Sequence, residues 1–370
     1  MFRKTMLLTV AVACCAMTAQ AESKFGLKEG SPNLKSAGAL AFGPDGILFV
    51  ADAKQATVFA LDTQDTSGDP SGAKFEIKGL RKAVADMLGT TARDISINDL
   101  AVNPKSGNLY LSVSRGRGPE ATPVLLRIDG ANRISVVELK KIDFSKTTLP
   151  NPPADKVTGS GRRQSNKRTQ SITDLGFVDG QLFVAGLSNE EFASKLTAIP
   201  FPFKKATGGT SVEIFHGAHG GFETRSPVRT FTSYKIGNEN HLLAAYTCTP
   251  LVKFKISDLK AGKKLKGTTI AELGNRNNPL DMFVYKKDGK DYLLIANTSR
   301  GVMKVMTDEI GSIKGITSRV SRENVTAGLK YETIGALKGV TQLDRLNDTH
   351  AVALIFDDAG TANLTTIALP

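Results

Sequence analysis

The chain of 370 residues has no tryptophan, three cysteines, four histidines and only 6% aromatic residues. Lack of tryptophan weighs against propeller repeats built on a Trp-Asp dipeptide. Cys14 and Cys15 lie in an N-terminal stretch with the pattern of an export signal, so Cys248 alone would remain and no internal disulfide could form. There is no Cys-x-x-Cys-His for covalent haem, no Gly-x-Ser-x-Gly elbow, no phosphate-binding Gly-x-x-x-x-Gly-Lys and no His-Glu-x-x-His. Those chemistries are disfavoured. No apolar run approaches the roughly 20 residues that a bilayer-spanning helix needs.

What is present begins with that signal: Arg3 and Lys4, an apolar run from Met6 to Ala13, and Ala19-Gln20-Ala21 as a small-x-small cleavage site. A periplasmic or secreted protein starting at Glu22 is expected. An alternative junction at Ala13-Cys14 would make it a lipoprotein. Loss of Arg3 and Lys4 lowers 48 basic residues to 46, against 36 acidic, for a net charge of +10. Such a surface suits an anionic small molecule or an acidic protein partner. Export argues against nucleic acid, and a monomer is expected.

Six stretches repeat one plan, an apolar strand, a Gly- or Asp-bearing turn and a second apolar strand. The clearest copy runs from Gly38 through Pro44-Asp45-Gly46 to Asp52. Others begin at Asn98, Thr173, Val228, Leu280 and Gly339. Four antiparallel strands per repeat predict an all-β six-bladed propeller over residues 22–370, with seven blades as runner-up. The spacing places blade one at 38–78, with 74–78 as its fourth strand. It predicts a short amphipathic helix near 79–90 and a flexible basic loop at about 146–170, rich in Pro and Gly. The last repeat is one strand short, and Lys24-Phe25-Gly26-Leu27 is expected to complete it and hide the sheet edges.

Superposing the repeats puts Asp99, Asp174 and Asp281 at one position near the channel mouth, with Arg229 and Thr341 at the corresponding places. Turns on the same face carry Arg115, Asn297 and Arg300, side chains suited to an anionic ligand. The segment from His216 to Pro227 crosses that face with His216, His219 and Glu223, and Cys248 lies in a neighbouring turn. Carboxylates suit Ca²⁺ or Mg²⁺, whereas His and Cys suit Zn or Cu. His216 or His219 could act as general base.

The run from Phe42 to Asp52, with its copies at Asn98 to Val102 and Leu280 to Met282, resembles the repeats of six-bladed NHL and gluconolactonase/paraoxonase-like propellers. The resemblance implies a divalent ion over the channel, held by Asn98 or Asp99, Asp174 and Asp281. Blade one departs from it, offering Lys35 to Ala39 where a Glu ligand is expected. The expectation is a propeller that binds a small ligand with a divalent metal at its channel mouth, as a metal-dependent hydrolase of esters or lactones. Two alternatives stay open: a non-enzymatic binding or assembly propeller, and a redox propeller holding copper or a quinone.

Overall fold

In the computed structural model residues 24–161, 164–320 and 326–370 are described. The export signal, the Cys14 junction, Arg162 and Arg163 lie outside them. Among the described residues the fold is a six-bladed β-propeller of mainly antiparallel sheets with one α-helix, Leu80–Leu88. No helix among the described residues is long and apolar enough to cross a membrane.

The blades do not follow one another round the ring in chain order. Blade one starts with Leu40–Phe42, Ile47–Asp52 and Thr57–Asp62. The chain then leaves for the last blade, where Glu76–Ile77 pairs with Ala362–Ala368 as its fourth strand. Next it builds blade two from Ile95–Val102, Leu109–Arg115, Thr122–Ile128 and Ile134–Val136. Only afterwards does it return, and Ile142–Thr148 pairs with Thr57–Asp62 to finish blade one. Blade two therefore sits between blades one and six, while blade one lies against blade three.

Six apolar layers confirm this order, one at each junction between sheets. Phe59 and Val50 of blade one pack with Tyr110 and Leu125 of blade two. Leu109 and Leu126 of blade two meet Val352 and Leu364 of blade six, with helix residues Leu80 and Val84 filling the outer part. Phe49 and Val58 meet Leu175 and Val184 of blade three. Each middle strand is covered on both faces, which explains why Ile47–Asp52 is buried throughout instead of alternating.

Two expectations are corrected here. Residues 74–78 do not belong to blade one, because Phe75 is fully buried between blades two and six and exchanges hydrogen bonds with Thr366. Residues 24–27 do not close blade six. Lys24–Gly26 forms a 3-10 turn, and Lys28–Gly30 adds a fifth strand outside Ile142–Thr148. The ring is closed from inside the chain. The strand Ile142–Thr148 runs into the stretch read as a loop, and within that stretch Val157–Thr158 pairs with Ser165–Asn166 and Lys167–Gln170 forms a 3-10 turn.

The other blades follow the predicted spacing. Blade three has Asp174–Val178, Gln181–Leu187, Ser194–Pro200 and Thr210–His216, and blade four has Val228–Ile236, Glu239–Tyr246, Pro250–Lys255 and Thr268–Leu273. Blade five has Pro279–Lys287, Lys290–Asn297, Gly301–Met306 and Tyr331–Thr333; blade six starts with Val340–Arg345 and His350–Phe356. In blades two, four, five and six a bulge interrupts the innermost strand before Asp99, Thr230, Asp281 and Gln342.

Candidate metal centre and the aspartate ring

The innermost strand of each blade is a sheet edge, and its outward N–H groups face the channel without a ladder partner. Aspartates supply the acceptors. Asp99 takes the N–H of Leu100 on one oxygen (2.9 Å) and that of Leu40 in blade one on the other (2.7 Å). Asp174 likewise accepts from Leu175 (2.8 Å) and from Phe231 in blade four (2.7 Å). Asp281 accepts from Met282 (2.9 Å) and Leu343 of blade six (3.0 Å). Asp344, which the sequence superposition passed over, accepts from Arg345 (2.7 Å) and Val102 of blade two (2.8 Å). Each staples its own blade to the next in one rotational sense.

The four line a cavity of about 230 Å³ together with Phe42, Phe177 and Phe231. Burial pushes all four carboxyls up, Asp174 to about 7 and Asp344 to about 6, against the lowering effect of the N–H groups they accept from. Burial also raises Asp99 and Asp281, and neighbouring carboxylates add to it. Because of the bulges, the positions equivalent to Asp99 in blades four and six are Thr230 and Gln342. Arg229 and Thr341 occupy the bulges themselves, as Asn98 does in blade two.

The remaining ring residues are spread out. Asn98 donates to Ala37 O (2.8 Å) and Ser114 Oγ (2.9 Å). Asn297 is buried and closes its own turn, donating to Ile295 O and Gly301 O (both 3.2 Å) and accepting from Asn277 (3.0 Å). Arg115 is exposed. The Arg300 guanidinium packs over Gly274, where a Cβ would stand 2.2 Å from it. Among the described residues no hydrogen bond joins Arg115, Asn297 or Asn98 to Arg300 or to one another.

Three of the four predicted soft-metal residues do come together. His216 ends the fourth strand of blade three, and the turn Gly217 to Gly220 brings the chain back as Gly221–Glu223, which pairs with it. One potential ligand atom from each of His216, His219 and Glu223 lies within 4.8 Å of the others. Both His Nδ1 atoms face the same carboxylate oxygen, Glu223 Oε1, at 2.9 Å from His216 and 2.5 Å from His219. Ser226 Oγ donates to the other oxygen at 2.6 Å. Burial acts to raise the Glu223 carboxyl, but the hydrogen bonds from His216, Ser226 and His219 outweigh it and hold it at about 2. Cys248 is not in this group; with φ 62° it shapes the turn between the middle strands of blade four, and its N–H donates to Asn277 O.

The residue the sequence did not reveal is Glu272, on the fourth strand of blade four. Its Oε1 accepts from Gly217 N–H (2.5 Å), and its Oε2 faces His216 Nε2 at 4.0 Å. Both of those facing atoms are buried and have no hydrogen-bond partner. His216 is 2% exposed and Glu272 fully buried, whereas the His219 side chain is 58% exposed. Burial raises the Glu272 carboxyl. His216 and Glu272 sit on fourth strands, three strand spacings of about 4.8 Å from the innermost strands, so the cluster lies at the rim between blades three and four and not at the channel mouth.

No protein-family model and no curated protein matches the chain. Among solved structures it is similar to the PQQ-bound aldose sugar dehydrogenase of Streptomyces coelicolor, at 10% identity and a TM-score of 0.33 over 92% of this chain and 96% of that one. A putative oxidoreductase (glucose dehydrogenase) of Thermus thermophilus is 13% identical with a TM-score of 0.31, over 92% and 100%. A chain of the mitotic checkpoint complex is 8% identical with a TM-score of 0.37, over 99% of both. At such identities and scores, likeness carries no inference about activity.

Proposed function

We propose that this propeller binds a divalent first-row metal, of the zinc or copper class, on His216, His219 and Glu223, with Glu272 as the partner of His216. The carrying observation is the pair of unpartnered buried atoms, His216 Nε2 and Glu272 Oε2. Both Nδ1 atoms are taken up by Glu223 Oε1, which leaves His216 Nε2 turned toward Glu272 Oε2 with neither atom hydrogen-bonded. A cation held on Nδ1 would put the ring proton on Nε2, the atom that faces Glu272 Oε2 at 4.0 Å. That is the carboxylate–histidine–metal arrangement common at ligating histidines.

Two imidazoles and one carboxylate would leave a fourth position free on a four-coordinate ion, and His219 is the exposed member of the set. A metal held there would supply a Lewis acid for an oxygen ligand such as an ester or lactone carbonyl. This reading moves the site from the channel mouth to the rim, because the ring carboxylates already serve the backbone. Equilibrium dialysis against Zn²⁺ tests it. About one ion per chain is expected, lost in His216→Ala and Glu223→Ala and kept in the double variant Asp174→Asn/Asp281→Asn. Loss from that double variant with retention in the other two would place the metal on the ring. No binding by the unaltered chain would refute the assignment.

A further inference from the structure

On the face opposite the His216 turn, the connections between third and fourth strands of blades three and four enclose a groove of about 500 Å³. We infer that this groove binds an amphiphilic carboxylate, a fatty-acid-like molecule with its acid head among Lys204, Lys205 and Lys260 and its chain on the apolar floor. The floor is Ile199, Pro200, Ala206, Ile256 and Leu259.

Charge complementarity decides the class of occupant. The three lysines are exposed and no carboxylate is among the lining residues. Among the described residues none of the three ammonium groups has an ion pair or a side-chain hydrogen bond, whereas Lys195, Lys255, Lys266 and Lys304 are each paired with an acid. Three uncompensated cations around an apolar floor favour an anion that also has hydrocarbon to bury. The volume falls within the range of small-molecule sites, about 300–1,000 Å³.

The walls are fixed before any ligand arrives. Lys264–Lys266 of blade four reaches across to pair in parallel with Ser211 to Glu213 of blade three, and Thr210 Oγ1 donates to Lys260 O (2.9 Å). On the other side, Thr147 Oγ1 accepts from Ala206 N–H (3.2 Å) and donates to Lys204 O (3.4 Å), tying the lysine-bearing loop to blade one. A preformed groove avoids the ordering cost of closing a loop on its ligand.

The test is calorimetric titration of the full chain with dodecanoate below its micelle concentration, with dodecyltrimethylammonium and acetate as comparison probes. Dodecanoate should bind at one per chain, the cationic amphiphile should not bind, and acetate should bind far more weakly. Neutralisation in Lys204→Gln/Lys205→Gln/Lys260→Gln should weaken dodecanoate about tenfold, and charge reversal of the same three to Glu about a hundredfold. Because all three are surface side chains, circular dichroism should show both variants folded. The inference is overturned by absent dodecanoate binding, by unchanged affinity in the charge-reversed variant, or by acetate binding as tightly as dodecanoate. It is equally overturned if the chain binds vesicles of anionic phospholipid but not monomeric dodecanoate. None of these outcomes depends on the metal centre.

Discussion

Asp174 offers the sharpest test of how the ring is held. Its carboxyl is raised to about 7, first by burial, while the N–H groups of Phe231 and Leu175 pull it back down. The ordinary unfolded value is about 3.9. A folded value above the unfolded one means that the native state binds more protons between the two, so the stability tied to Asp174 is complete at low pH and is lost as pH rises through about 7. Between about pH 5.5 and pH 8.5 the linkage integral is about 2 kcal/mol. Asp174 faces the channel half-buried, so solvent screening reduces this to about 1–2 kcal/mol. In Asp174→Asn the titration is gone and the amide nitrogen faces one of the two N–H donors, costing about 1–3 kcal/mol. The destabilisation by Asn should therefore be larger at about pH 5.5 than at about pH 8.5, by that 1–2 kcal/mol. For some 350 residues at about 2.1 cal/mol/K each, 1 kcal/mol shifts Tm by about 1.4 °C, so calorimetry at the two pH values should show a change of about 1–3 °C in the gap. A gap that widens with pH would mean that the N–H donors hold Asp174 ionised against burial, and would refute the reasoning.

Glu272→Gln should keep the fold, since its amide oxygen can still accept from Gly217, yet lower zinc affinity about 10- to 100-fold by competition titration, because His216 Nε2 loses its anionic partner. Phe75→Ala should destabilise by about 3–5 kcal/mol in denaturant unfolding, since that side chain is fully buried between blades two and six. Phe25→Ala, at the partly exposed N-terminal turn, should cost less than about 2 kcal/mol; the reverse ranking would return closure of the ring to the N-terminus. Asn297→Ala should cost about 1–3 kcal/mol through its turn while leaving metal binding unchanged, in keeping with a turn-closing role.

The strand-turn-strand repeats made the propeller legible because middle strands buried on both faces read as continuous apolar runs, as Ile47–Asp52 does. The swap of outer strands was not legible. Glu76–Ile77 is only two residues long and follows blade one in the chain, so nothing local tells which sheet it will join. Its register is set by Thr366, some 290 residues away. Ile142–Thr148 was hidden by the Pro- and Gly-rich stretch into which it runs. At the ring, Asp99, Asp174 and Asp281 were found by superposition, but the bulges in blades four and six shift the count by one, which misplaced Arg229 and Thr341, and Asp344 was missed because it stands two residues beyond the equivalent position, Gln342. The His216, His219 and Glu223 grouping was visible because the three potential ligands lie within one short Gly-rich segment. Glu272 was not, because it lies 55 residues from Gly217 in a strand buried over nearly its whole length, and only the packing of blade three on blade four brings them together.

X-ray absorption on the zinc-loaded chain tests the central claim most directly. The account predicts a first shell of nitrogen and oxygen at about 2.0–2.2 Å with the multiple-scattering signature of two imidazoles, and one imidazole fewer in His219→Ala. A sulfur at about 2.3 Å would bring Cys248 into the site, and a shell of oxygen alone would put the ion on the aspartate ring; either would contradict the assignment to His216, His219 and Glu223.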